Sequence, residues 1–141
     1  MVERPAMREF FAPATLIAVL VMAVNDHWLK ADFHNALTGK LSDFAGCFFL
    51  PLYVSALMGA VVPLRPRHRL GLGVLVTLGI FVPVSLSRDA ADALCRLLAV
   101  LGAPLGLHGY RIAADPTDLM ALPFVALAYA YGLKRTQTER A

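Results

Sequence analysis

The sequence predicts an all-α integral membrane protein: four transmembrane helices, with one short interfacial amphipathic helix between the third and fourth spans. Three observations predict it. Of 141 residues, 58% are hydrophobic and only 16% charged, against about 45–50% and about 25% in soluble domains. The mean hydropathy is +0.63, a surplus that a core of this size cannot hide, since a domain of about 150 residues buries only about 70% of its unfolded surface. Finally, the apolar residues are gathered into four runs separated by basic or acidic clusters. A soluble enzyme, a disordered chain, a collagen-like repeat and a disulfide-stapled secreted scaffold are all disfavoured.

The first span is expected at about 10–29, from the uncharged run Phe10–Val24 onward. Arg4 and Arg8 precede it as a signal peptide's basic region would, with Val21-Met22-Ala23 as a poor cleavage site. Trp28 and Lys30 at its far end read instead as interface anchors of a retained helix. The second span, about 44–64, and the third, about 70–87, hold no charge, and each approaches the ~20 residues a bilayer crossing needs. Residues 88–102 differ in kind. Leu94, Leu97, Leu98 and Leu101 recur at helical spacing, and Arg88, Asp89, Asp92 and Arg96 occupy the other face. That pattern predicts a helix lying in the interface. The fourth span, about 116–133, starts at Pro116 with Asp115 as its cap. No internal repeat or low-complexity tract divides the chain, which reads as one transmembrane domain over 1–141.

The charge of +3 reads as topology, because the basic residues sit between apolar runs with no aromatic interleaving, so nucleic acid is not an expected partner. Arg4, Arg8, Arg65, Arg67, Arg69, Lys134, Arg135 and Arg140 fall on one side, against Lys30, Lys40, Arg88, Arg96 and Arg111 on the other. The positive-inside rule then places both termini in the cytoplasm of a bacterial inner membrane. Cys47 and Cys95 are too few and too far apart for a CxxC pair or a thiolate zinc site. As isolated cysteines they read first as small buried apolar residues.

That topology puts all seven aspartates and three of four histidines on the periplasmic side. Asp26 and His27 follow a long uncharged run, and Asp26 stands four residues from Lys30. In the segment Thr38-Gly39-Lys40-Leu41-Ser42-Asp43, Ser42 reads as N-cap of the second span, Asp43 as a first-turn carboxylate and Lys40 as its counter-ion. Gly39-Lys40 lacks the remaining residues of a phosphate loop. Asp115 and Asp118 flank Pro116 at the mouth of the fourth span, where capping explains them. The catalytic candidates are therefore Asp26, His27, Lys40, Asp43 and Asp118. The metal-ligating candidates are Asp26, His27, His34, Asp43, Asp115 and Asp118, whose oxygen and imidazole donors suit a divalent zinc, manganese or iron ion, although the spacing matches no zinc signature.

The segments TGKLSDFAG and DPTDLMALP resemble motifs of small bacterial multi-pass membrane proteins of uncharacterised activity. Residues 26–46 are also loosely similar to VanZ-like proteins, which carry an Asp-Lys motif and a histidine near a helix mouth; here Lys40 precedes Asp43, which departs from that pattern. The resemblance implies a multi-span fold and transfers no activity. The sequence points first to an accessory or partner-binding protein, with membrane lipids and a membrane or periplasmic protein as partners. The alternative is a metal-dependent membrane enzyme acting on a lipid or lipid-linked head group at the outer leaflet. A proton-coupled transporter is disfavoured, since no span carries a charge in its middle.

Overall fold

The computed structural model describes residues 11–29, 32, 36–106 and 111–138. All regular structure among them is helical. The chain forms two compact units, Met1–Leu78 with Ala121–Ala141 and Gly79–Met120.

In the first unit, α1 (Pro13–Val24) begins on a proline, which has no N–H to leave unsatisfied, and passes directly into a π-helical turn, Asn25–Leu29. Helix α2 spans Ala36–Val61 and contains the fully buried Pro51. Pro63 and Pro66 bracket the turn into α3, Pro66–Leu86, where the Arg65 carbonyl accepts from the amides of His68 and Arg69. The last helix, α5, is Leu122–Thr138. Helix α2 is the hub, with α1 and α5 packed along it. Phe44 meets Phe124, and Phe48 meets Tyr131 one to two turns on, so α2 and α5 run the same way. Asn25 reaches Thr38 and Ser42, while Ala14 and Phe48 line one hollow with Leu41 and Val21, so α1 runs against α2.

Helix α3 meets α2 where Gly73 lies against Pro51: a Cβ on Gly73 would overlap the Pro51 carbonyl oxygen and stand 3.0 Å from its carbon. One side of Gly132 is filled by the Leu70 and Leu52 side chains in the same way. A glycine at such a contact lets two helices come close. Burial follows the same logic. The buried apolar residues are mostly alanines, among them Ala18, Ala45, Ala56 and Ala128, joined by Thr15, Ser55 and Thr77. Ile17, Leu20, Leu75 and Leu127 are exposed, as is Val61 at 82%. Soluble cores show the reverse preference for large side chains. Thr77 can sit in such a place because its hydroxyl donates 2.7 Å back to the Gly73 carbonyl.

In the second unit, the end of α3 leads through Ser87 to α4, Arg88–Gly102. Ser87 is extended and accepts from the Ala90 amide at 3.4 Å. The helix coincides with the expected 88–102, with Arg88, Asp89, Asp92 and Arg96 exposed and Ala91 buried. Because the Ser87 contact is long, Ser87→Ala should cost about 0.5–1 kcal/mol, the low end for an N-cap, measured as the fall in unfolding free energy in detergent. A short 3-10 turn, Ala103–Leu105, then ends at Gly106, whose φ of +69° suits glycine.

The expected spans are met in part, and two expected helix starts are corrected. First, two described helices, not four, are both long and apolar enough to cross a membrane alone: Leu37–Val61 and Pro66–Leu86. The first apolar helix is shorter, Pro13–Leu29. Second, α2 starts at Ala36, eight residues before Phe44, so Ser42 is not an N-cap and Asp43 is not in the first turn. Third, Asp115 and Pro116 do not open the last α-helix. Pro116–Ala121 is a 3-10 segment, with the Asp118 amide on the Asp115 carbonyl at 3.0 Å. Pro123 has no amide proton for the carbonyl four residues back, which removes one α-helical hydrogen bond at this junction. Neither cysteine is in a disulfide.

Candidate functional site

A polar network ties the π-helical turn to α2. The π geometry, with its wider turn, occurs mostly as single turns within helices, frequently at functional positions. Here it carries Asn25 inward, 0% exposed, while Asp26, His27 and Trp28 face outward. Asn25 Nδ2 donates to the Thr38 carbonyl at 2.5 Å and to Ser42 Oγ at 2.6 Å. The Ser42 hydroxyl in turn donates to Asp26 Oδ1 at 2.8 Å. Thr38 and Ser42 are one turn apart on α2, so both face the same amide.

The donors and acceptors fix one another. A carbonyl only accepts, so the Asn25 amide must turn its nitrogen toward Thr38, and the Ser42 proton is then directed to Asp26. The Asn25 Oδ1 is left buried with no hydrogen-bond partner among the described residues. His27 lies 3.0 Å from the Ala23 carbonyl through Nδ1. That contact requires the proton on Nδ1 and makes Nε2 of the neutral ring an acceptor. The outer surface of the turn therefore offers a carboxylate and an imidazole nitrogen, both suited to a cation or to a donor-bearing partner.

The sequence candidates separate as follows. Asp26, His27, Lys40 and Asp43 belong to the first unit. Lys40 and Asp43 are half-buried within α2. Asp115 and Asp118 belong to the second unit, where Asp115 Oδ1 accepts from the Thr117 amide at 2.9 Å and from its hydroxyl at 2.7 Å. His34 and Lys30 lie outside the described residues. Among the described residues no three His, Cys, Asp or Glu side chains group so as to hold a metal ion. Sequence reasoning missed Ser42 as the partner of Asp26 and Asn25 as the partner of Ser42. The usable signal was the Thr38–Ser42 spacing opposite a lone asparagine at the end of an apolar run.

No family model, no curated protein and no solved structure matches the chain.

Proposed function

We propose that the chain is a small multi-pass protein of a bacterial inner membrane that acts as an accessory or partner-binding protein, with its Asp26–His27 face in the periplasm. The observation that carries the non-catalytic reading is the direction of the protons in the network. Ser42 donates to Asp26, and the neighbouring His27 donates to a backbone carbonyl. In a Ser-His-Asp triad the serine donates to the histidine and the histidine in turn to the carboxylate, whereas here Ser42 meets the carboxylate directly and His27 is turned to the Ala23 carbonyl. The network holds two helices together and leaves a fixed outward face.

The membrane reading is supported by the two helices of sufficient length and hydropathy and by small buried against large exposed apolar residues. On this reading α1 with its π turn, and α5 with the 3-10 segment before it, add two further crossings. Helix α4 lies in the interface, and both termini are cytoplasmic.

The test is the metal content and topology of the detergent-purified protein. Wild type and Asp43→Ala are expected to carry no stoichiometric zinc, manganese or iron, and Asp26→Cys is expected to react with an impermeant thiol reagent from the periplasmic side. A stoichiometric metal lost in Asp43→Ala would replace this reading with the alternative, a metal-dependent enzyme at the outer leaflet. Labelling of Asp26→Cys only from the cytoplasmic side would overturn the topology.

A further inference from the structure

The far end of the first unit has a different chemistry. No acidic residue occurs between Asp43 and Asp89, and the segment Arg65-Pro66-Arg67-His68-Arg69 falls in the middle of that stretch. A cavity of about 820 Å³ lies between α3 and α5, its walls including Leu72, Leu75, Leu78, Val125 and Tyr129. It reaches Arg67 and His68. A second hollow, about 580 Å³, shares those two residues and adds Arg65 with Thr136 and Gln137. Arg65, Arg67 and His68 are exposed, and no acidic side chain pairs with them among the described residues. An apolar groove thus opens into a basic, hydrogen-bonding mouth.

We infer that this groove holds one acyl chain of an anionic glycerophospholipid, with the phosphate of its head group seated at Arg65, Arg67 and His68. The inference rests on the membrane reading above. Charge and length both argue for that occupant. A neutral apolar helix from another protein would fill the groove but bring no anion to the arginines. A soluble anion would meet the arginines and leave the apolar walls uncovered. From Arg67 to Leu78 the α3 face extends roughly 16 Å at 1.5 Å per residue, about half of the ~30 Å hydrocarbon core and so the depth of one leaflet. Basic pockets between helices on the cytoplasmic side are where anionic head groups bind, and the positive-inside assignment puts this end there.

The experiment uses the full chain in phosphatidylcholine nanodiscs doped with phosphatidylglycerol carrying a photoreactive group in its acyl chain, or with the equally labelled phosphatidylcholine. Adducts on Leu72, Leu75 and Tyr129 are expected to favour the phosphatidylglycerol probe. Removing two cations with Arg65→Gln/Arg67→Gln should lower that preference roughly thirtyfold. Ala126→Trp, placed on the groove wall, should block labelling while leaving the protein monodisperse. Inorganic phosphate should not compete.

Equal labelling by both lipids would mean ordinary annular lipid and overturn the proposal. Competition by phosphate without lipid selectivity would identify a soluble-anion site and overturn it as well. Alkaline carbonate extraction of native membranes separates the two levels. Release of the protein would overturn the membrane reading itself, whereas retention without head-group selectivity would overturn only the lipid site.

Discussion

Gly73→Ala should destabilise the protein by about 2 kcal/mol, whereas Gly71→Ala, two residues earlier on the same helix, should leave it unchanged or slightly more stable. Both substitutions replace a helical glycine, and each should gain about 1 kcal/mol of helix propensity. They differ in what the new methyl meets. At Gly71 nothing lies within 4 Å, but at Gly73 the methyl would overlap the backbone of Pro51 on α2. A side chain could rotate away, but a carbonyl inside a helix cannot, so the helices must separate. Overpacking of that kind costs typically about 1–3 kcal/mol and sometimes more, and here the upper end applies. The check is the unfolding free energy of each variant in mixed micelles. Equal stabilities would show that α2 and α3 do not meet at this pair.

Asn25→Asp should be more damaging still, about 3 kcal/mol or more, although it changes one atom type and almost no volume. The replacement takes away both Nδ2 contacts and points oxygens at the Thr38 carbonyl and Ser42, with Asp26 already on the far side of that serine. An uncompensated buried charge costs about 3–5 kcal/mol. If the carboxyl takes up a proton instead, it can serve only one of the two acceptors. By contrast, replacing both ends with apolar groups, Asn25→Leu with Ser42→Ala, should be much milder, because a buried pair removed together leaves fewer groups wanting partners. It also removes the Oδ1 that has no partner among the described residues. Unfolding titrations of the two variants side by side decide the matter; the same stability for Asn25→Asp as for wild type would falsify the orientation of the amide.

How much of this was legible in the sequence depended on the range of the interaction. The bounds of helix α4 were legible, because its period, its opposed charged face and its length are all local. The start of α2 was not. A reading that starts a helix where charge stops places its beginning after Asp43, yet α2 begins seven residues before that aspartate. The start of the last α-helix is hidden for a nearer reason: Asp115 and Pro116 carry the residue types of a helix start, but the turn they open is 3-10 and the α-helix follows at Leu122. The site was half legible. Asp26 and His27 stand out as charged or titratable groups at the end of an apolar run. Asn25 is neutral, and its partner Ser42 lies 17 residues away; nothing local marks such a pair until α1 and α2 are known to run against each other. The basic cluster stands out locally in the sequence, but its continuity with an apolar groove depends on α3 and α5 being neighbours.

The chain has one tryptophan, and it is placed usefully. Trp28 sits on the π-helical turn, 66% exposed, three residues from the amide that holds α1 to α2. Its intrinsic fluorescence therefore reports on that joint alone, with no label to introduce and no second indole to subtract. Opening of the joint can be followed as a change in emission wavelength, and quenchers placed at graded depths along lipid chains can locate the turn relative to the bilayer surface. The Asn25 variants can thus be read out locally, at the place they alter, as well as through the stability of the whole protein.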